Sequence, residues 1–388
     1  MRLYKTVIIF IAALLVGGTI GFFITGFVTS GSIEKNTTFN YAPSVPSSPE
    51  SLKIQTDIGK INFQYNTSNS AHYATVDVAI KISGLFMEMK DYTAFFNPES
   101  EWWVLENEFY LKVLSDIWFD PAFWFKSYDI TINVTLRTDI VYDITAIASV
   151  GSIEMTTANG VVLNDLDFQT STGSINFLSK ENTNFLGNFN LATTTGSLTM
   201  ESLENSTFDS GFDLSTVTGS LELSAVITNF NNGIDLEVIT GSIDIALSSC
   251  ILGDSIIGSV TTGSIETNID DILYTKDSAL NLMTTTGSIT VDISQSNDMG
   301  ANITSSIQVI TGSIDFIYKD YVVDVGAQFV SSVGLGSINN IFLPTEFSEL
   351  GDTITSLNYN DSYVNTYTFT CTTNTGSIDV DARSIVPI

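Results

Sequence analysis

From residue 150 to the C-terminus, apolar and polar residues alternate with a period of two, and the alternation changes phase at a recurring glycine. In residues 234–247 the apolar positions are even-numbered as far as Val238 and odd-numbered from Ile243 onward. Period-two alternation is typical of half-buried strands, and glycine permits the bend that a change of phase requires. Each repeat is therefore predicted to contain a strand, a Gly-Ser corner, a second strand and a polar return loop.

The corner motif is Gly-Ser-(Ile/Leu), usually preceded by threonine. It recurs at intervals of 22–25 residues, followed by one last interval of 40. The predicted structural-corner glycines are Gly151, Gly173, Gly196, Gly219, Gly241, Gly263, Gly287, Gly312, Gly336 and Gly376. Sequence periods of 20–50 residues are typical of solenoids, because two short strands bury their apolar face only against neighbouring repeats.

The predicted fold is all-β, a parallel β-solenoid of about 22–25 residues per coil, in which the threonines before the corners align in a column. A pair of β-sandwiches is the alternative, since it also contains many short alternating strands. Sandwich strands lack a motif at fixed intervals, so the repeat favours the solenoid.

The N-terminus contains a run of 22 uncharged, mostly apolar residues, 7–28. A helix of that length reaches about 33 Å, enough to cross a bilayer. Arg2 and Lys5 precede the run, and the positive-inside rule then places residues 1–6 in the cytoplasm as a short tip and the bulk of the chain outside. We predict a single-pass transmembrane signal-anchor in the cell membrane. A signal peptide cleaved near residues 29–31 is the alternative.

Small residues form a stripe along this predicted helix, at Ala13, Gly17, Gly21 and Thr25. Such spacing lets two helix backbones approach closely, so the stripe favours weak self-association in the membrane. The high glycine content of membrane helices in general is the other explanation.

Residues 29–50 hold three of the seven prolines and are predicted to be a linker. Residues 51–126 are predicted to be β-rich, beginning with a degenerate first coil around Gly59, and residues 127–388 to form the solenoid repeats. An insertion at 95–125 contains all four tryptophans, Trp102, Trp103, Trp118 and Trp124. Their aromatic rings either cap the apolar end of the solenoid or form a binding patch for a surface glycan or a protein ligand.

The chain has 43 acidic and 14 basic residues and a net charge of −29. This balance excludes nucleic acid as a partner, because phosphate binding requires clustered Lys and Arg. One histidine, two cysteines and the absence of any G-x-x-x-x-G-K-[ST], H-E-x-x-H or C-x-x-C motif leave no enzyme signature. We predict that the protein is not an enzyme; a carbohydrate-active β-helix enzyme using acidic groups is the less favoured alternative.

The residue after each Gly-Ser-(Ile/Leu) points outward and is often acidic. Glu222, Asp244 and Glu266 occupy this position in three consecutive repeats. Carboxylates about 5 Å apart repel one another unless they are screened or bridged, so this ladder is a candidate calcium site. A solvated acidic face is the alternative, and no other cofactor is predicted.

Cys250 and Cys371 are predicted not to pair, because the repeat places them four to five coils apart. If the chain is extracellular, glycans can be attached at six N-x-[ST] sequons. These are Asn36, Asn66, Asn133, Asn205, Asn302 and Asn360.

The run of T-G-S-(I/L) corners within short alternating strands resembles the putative-adhesin family of β-strand-repeat domains. The resemblance covers about residues 127–388 and implies a single-chain β-solenoid, often following an N-terminal membrane segment, with a role in adhesion. It supplies no catalytic or binding residues. We therefore expect a membrane-anchored extracellular β-solenoid that acts in adhesion or as a surface scaffold. A purely structural envelope spacer is the alternative.

Overall fold

The structure, a computed structural model, describes residues 31–43, 48–66, 71–84, 97–103, 108–114, 126–320, 325–342, 346–359 and 365–384. These residues form strands, turns and bends, which confirms the all-β prediction. Within these ranges no helix is long and apolar enough to cross a membrane. The predicted cytoplasmic tip and transmembrane segment, residues 1–28, lie outside the described residues.

The strands fall into three groups along the chain. The first group comprises β1 (Gly31–Tyr41), β2 (Glu50–Ile58), β3 (Lys60–Asn66), β4 (Ala74–Gly84), β5 (Asn97–Trp103), β6 (Glu108–Leu114), β7 (Lys126–Arg137), β8 (Tyr142–Val150) and β9 (Ile153–Thr156). The second comprises β10 (Val162–Thr172), β11 (Ile175–Ser179), β12 (Asn184–Phe185), β13 (Phe189–Thr195), β14 (Leu198–Ser202), β15 (Thr207–Phe208), β16 (Phe212–Val226), β17 (Asn229–Phe230), β18 (Ile234–Ser248), β19 (Ile251–Leu252), β20 (Ile256–Asp270), β21 (Leu273–Tyr274) and β22 (Leu280–Gln295). The third comprises β23 (Ile303–Asp320), β24 (Val325–Phe342), β25 (Phe347–Leu350), β26 (Thr353–Ser356) and β27 (Asn365–Ser384).

Successive repeats pair side by side, in parallel and in register. Strand β16 pairs with β18, β18 with β20, β20 with β22 and β22 with β23, with the corner glycine of one repeat opposite that of the next. The predicted threonine column is confirmed, since Thr218 lies opposite Thr240 and Thr240 opposite Thr262. This parallel arrangement differs from the antiparallel pairing of a β-sandwich.

The corners bring the backbones of neighbouring repeats so close together that only glycine fits. All ten predicted corner glycines have φ between 140° and 150°. A Cβ atom on Gly241 would lie 1.7 Å from the carbonyl oxygen of Gly219 in the preceding repeat. The absence of a side chain is therefore required both by the backbone angle and by the contact between repeats.

The core lies between the strand before each corner and the strand after it, and a third, shorter side closes it. On that side Phe185, Phe208 and Phe230 stack, with ring centroids 4.5 and 5.1 Å apart. The predicted polar return loop is thus wrong in part. Each of the return segments β12, β15 and β17 is a two-residue strand with one buried aromatic ring, a signal too short to show as alternation.

The N-terminal end of the stack does not follow chain order. Strands β2 and β3, joined at Gly59, pair in parallel with β8 and β9, which confirms the degenerate first coil. Strands β6 and β7, which come later in the chain, pair on the other side of β2 and β3. Antiparallel β5 and β4 then extend these two sheets outward.

The linker prediction for 29–50 is wrong for residues 31–41, because β1 pairs antiparallel with β4 along its whole length. The prolines that suggested a linker all follow this strand. The strand itself carries Ile33, Phe39 and Tyr41, residue types that favour extended backbone.

The C-terminal end also departs from chain order. Strand β27, with Gly376, lies between β23, with Gly312, and β24, with Gly336. The hairpin of β25 and β26 occupies the 40-residue interval and pairs antiparallel with the first half of β24. The last strand that the structure describes therefore lies inside the stack, with β24 on its outer side.

We predict that Gly241→Ala destabilises the fold by about 4 kcal/mol or more, because the new methyl group would overlap Gly219 and strain the backbone. The free energy of unfolding from chemical denaturation measures the effect. Gly211→Ala is the control, since its Cβ would lie 3.2 Å from a side-chain oxygen of Asn188. Equal stability of both variants would contradict the close approach at the corners.

A chain that ends at residue 359 is expected to lose protease protection over β24–β26, because β24 would lose its parallel partner. The repeats from Gly173 to Gly287 should remain protected, since their pairing does not involve β27. A chain that ends at Ser384 is the matched control. Unchanged protection of β24 in the shorter chain would show that β27 is not inserted between β23 and β24.

Candidate functional site

The predicted acidic ladder is assembled by the register, since Glu222 lies opposite Asp244 and Asp244 opposite Glu266. All three residues are exposed. Among the residues that the structure describes, no group of three or more His, Cys, Asp and Glu side chains is placed to hold a metal ion. Calcium binding at this ladder stays a prediction.

The aromatic insertion is described only in part. Trp102 and Trp103 belong to β5, whose backbone pairs with β6 at the N-terminal end of the stack. Trp118 and Trp124 lie outside the described residues. The backbone thus places part of the insertion where a cap is expected, while both roles of the tryptophans stay predictions.

The two cysteines are free, as predicted, and both are buried. They are four steps apart along the stack, because Cys250 belongs to the Gly241 repeat and Cys371 to the Gly376 repeat. Burial raises the pKa of the Cys250 thiol to about 11 and that of Cys371 to about 12. Both thiols are therefore protonated at neutral pH and unsuited to nucleophilic or metal chemistry.

The sequons differ in accessibility. Asn36, Asn66, Asn205 and Asn302 are exposed, and Asn205 has a positive φ of 60° at a turn. Asn133 is half-buried, and its Oδ1 accepts a 2.9 Å hydrogen bond from Asn62. Asn360 lies outside the described residues. Glycosylation stays a prediction, and Asn205 is an exposed candidate on a turn.

One buried carboxylate joins the N-terminal strands. Glu50 is fully buried and accepts a 2.5 Å hydrogen bond from the Tyr41 hydroxyl, which links β1 to β2. Burial and the neighbouring carboxylate raise the pKa of Tyr41 far above its usual value. Since this pair lies inside the structure and ties two strands together, its role is in folding.

A different feature stands out on the surface, where five neighbouring repeats present an uncharged sheet face. We call it the neutral face and define it by the outward residues of the strand before each corner, in the repeats of Gly263, Gly287, Gly312, Gly376 and Gly336. Its members are Ile257, Ser259, Thr261, Asn281, Met283, Thr285, Ser306, Gln308, Ile310, Thr370, Thr372, Asn374, Val330, Ser332 and Gly334. None of these residues is buried, and none is charged.

The strands after the corner present the opposite kind of surface in the same five repeats. Their outward residues include six carboxylates and two cations, which are Glu266, Asp270, Asp292, Asp315, Asp379, Asp381, Lys319 and Arg383. Lys319 approaches Asp292 at 3.4 Å, and Arg383 approaches Asp381 at 2.8 Å. We call this surface the charged face. Charged and uncharged outward residues therefore lie on different strands of the same repeats. Alternation directs every second residue of each strand outward, so each strand contributes its outward residues to one face.

Aliphatic and thioether side chains lie exposed on the neutral face. Ile257, Met283 and Ile310 are exposed by 44%, 46% and 45%. They belong to three successive repeats, with Ser259 opposite Met283 and Met283 opposite Gln308. Each column of the face therefore combines hydroxyl or amide groups with an exposed apolar side chain, on a sheet whose other side is the core.

A shallow groove continues the same sheet surface into the earlier repeats. Its lining includes Gln169, Thr194, Ser215 and Val217, and its one charged residue is Glu237. Beside it, on the same strands as Ser215 and Glu237, acidic residues return, as Asp213 lies opposite Asp235. The uncharged surface is thus most extensive in the C-terminal half of the stack.

Like charges meet where acidic residues stack. Burial and then the neighbouring Asp235 raise the pKa of Asp213, and burial and then the neighbouring Asp379 raise the pKa of Asp315. A raised carboxyl pKa means that the charged form is disfavoured in the folded state. The acidic columns consequently oppose the stacking that the glycine corners require.

The neutral face was not identified from the sequence. The lack of charge is recognised only when the outward positions of the repeats are compared in the order in which the repeats stack. The displaced position of β27 hides that order, because Thr370, Thr372 and Asn374 precede the last corner in the chain but lie inside the face.

The sequence matches no protein-family model and no curated protein. Among solved structures, a putative cell adhesion protein from Clostridium sporogenes is similar over 90% of this chain and 100% of that chain. The identity is 12% and the TM-score 0.23. These values do not establish a shared fold or function, and the family resemblance of the corner motifs stays an expectation.

We expect Asp315→Asn to raise the melting temperature at pH 7 by about 1 °C, the scale of a surface substitution. The raised pKa of Asp315 means that its ionisation costs stability as the pH rises through that pKa. The gain should disappear near pH 3, where the carboxyl is protonated in both states.

Asp292→Asn is the matched control, because Asp292 lies on the same face but pairs with Lys319. It should bring no gain at pH 7. Thermal melting between pH 3 and pH 7 measures both variants. A gain for Asp315→Asn that is independent of pH would contradict the electrostatic explanation.

Proposed function

We propose that the protein is a membrane-anchored, outward-facing β-solenoid that acts in adhesion or as a surface scaffold, without catalytic activity, and that the neutral face is its contact surface. The observation that carries the proposal is this uncharged face, of hydroxyl, amide and apolar side chains, on an otherwise strongly acidic chain. Contact surfaces are typically depleted of charge at their centre, whereas a solvated face needs charge for solubility.

The winding supports a role that depends on shape. Ten glycine corners at about 4.8 Å per repeat give a stack about 45 Å long. Its backbone hydrogen bonds run between repeats, and its core contains the stacked rings of Phe185, Phe208 and Phe230, which favours a stiff body. Such a body holds a surface at a fixed distance from an anchor, which residues 7–28 would provide.

Charge supports an exposed, solvated position for the rest of the surface. Residues 181–388 contain 25 acidic and three basic residues, a net charge of −22. This charge opposes aggregation of strand edges, to which stacked β-structures are prone.

The proposal is tested in cells that express the full-length chain. An antibody against the repeats should label intact cells, and these cells should attach to a layer of expressing cells, to a layer of non-expressing cells or to immobilised neutral polysaccharide. Met283→Glu with Ile310→Glu should abolish attachment, because two charges would be buried in the contact. The matched control is Asn268→Glu with Asn339→Glu, which adds the same charges on exposed positions of the strands after the corners.

Each outcome has a distinct meaning. If the antibody labels intact expressing cells but these cells attach no better than non-expressing cells, adhesion is overturned and the structural spacer is favoured. Release of sugars from the polysaccharide would overturn the non-catalytic assignment. Absence of label on intact cells would overturn the outward-facing topology itself.

A further inference from the structure

We propose that the partner of the neutral face is a second copy of the same chain, bound face to face across a two-fold axis. The inference rests on the proposed function, since it takes the neutral face to be a contact surface. It names the occupant, which the proposed function leaves open.

Net charge selects the surface on which two copies can meet. Each copy carries a net charge of −29, so contact through the charged face would bring carboxylates such as Asp315 and Asp379 against their counterparts. Like-charge juxtaposition at an interface costs several kcal/mol. The neutral face avoids this penalty over five consecutive repeats.

The chemistry of the neutral face is also self-complementary. A two-fold interface uses the same patch on both partners, so this one patch must supply both the donors and the acceptors of every contact. Hydroxyl and amide side chains both donate and accept hydrogen bonds, whereas a carboxylate only accepts and an ammonium group only donates. The columns containing Thr261, Thr285, Gln308, Thr372 and Asn374 meet this requirement.

The exposed apolar groups supply the remaining contacts. Ile257, Met283 and Ile310 each occupy one position in a different column and would be removed from water when a second sheet packs at about 10 Å. None of the six sequon asparagines belongs to the neutral face. Glycans at those sites would therefore not be attached within the contact itself.

The size of the face predicts a weak interaction. Five repeats span about 24 Å, and the five residues from the first to the last outward position of each strand span about 17 Å, so about 400 Å² of each copy would be covered. A total of about 800 Å² lies at the small end of transient complexes. Anchoring on one membrane raises the effective concentration, which allows a weak contact to become populated.

The test uses the full-length chain in phosphatidylcholine vesicles, with single cysteines added at exposed positions. Cysteines in Met283→Cys and Ile310→Cys should yield dimers with a short bis-maleimide. Asn268→Cys and Asn339→Cys, on the strands after the corners, should remain at the background of the unmodified chain. That background is low, because Cys250 and Cys371 are buried. Equal cross-linking at both pairs of positions, or none above background at the neutral face, would overturn the proposal.

A charge exchange tests direct contact. The cysteine in Thr261→Cys reports dimers through its cross-link. Adding either Met283→Glu or Met283→Lys should abolish this cross-link, because both copies then carry the same charge in the contact. Mixing the two variants in one vesicle should restore it. Failure of the mixture to restore the cross-link would overturn the face-to-face arrangement.

The outcomes are separable from those of the proposed function. Attachment of cells that depends on the neutral face, without cross-links between copies, would retain the adhesion role and overturn self-docking. Cross-links at the neutral face without cell attachment would retain self-docking and overturn adhesion to other surfaces.

Discussion

The close approach of glycine backbones at the corners is the constraint on which the rest of the structure depends. Because a side chain at Gly241 would overlap the carbonyl group of Gly219, a residue that stacks on a corner in this conformation must be glycine. This requirement fixes the register of both flanking strands, so that a threonine lies before and a serine after each glycine in every regular repeat. Register in turn aligns the core, including the stacked rings of Phe185 and Phe208, whose separation matches the strand spacing. Similar intervals between corners follow from similar path lengths around the core.

The sequence predicts the regular part of this arrangement well and its ends poorly. The glycine interval and the change of phase identify the corners, the threonine column and the degenerate corner at Gly59, since these depend on local pattern. The short strands that carry Phe185 and Phe208 escape prediction because two residues show no periodicity. The insertion of β27 between β23 and β24 escapes it for another reason: the repeat pattern identifies which segments are equivalent, but not the order in which they stack. Strand β1 was obscured by the prolines that follow it.

The candidate site shows how a repeat separates function from stability. Alternation directs one set of residues into the core and the other to the surface, and the register collects the surface residues into columns. A column can therefore gain or lose charge without altering the core. The strands before the corners lose charge over five repeats, whereas the strands after the corners keep Asp292, Asp315 and Asp379. On the charged face, burial and then the neighbouring Asp379 raise the pKa of Asp315, while the neutral face leaves hydroxyl, amide and apolar groups available for contact. The chemistry of a binding surface is thus set by columns and not by a local motif.

Distances between spin labels test the stacking of the repeats most directly. One label at Gln169→Cys is paired in turn with a second at Ser259→Cys, Gln308→Cys, Thr372→Cys or Ser332→Cys, which occupy the same column four, six, seven and eight repeats away. At about 4.8 Å per repeat, the expected backbone separations are about 19, 29, 34 and 38 Å. Position 332 should lie farther away than position 372 although it comes earlier in the chain. Distances that do not increase in steps with repeat number, or that place 332 nearer than 372, would contradict the account.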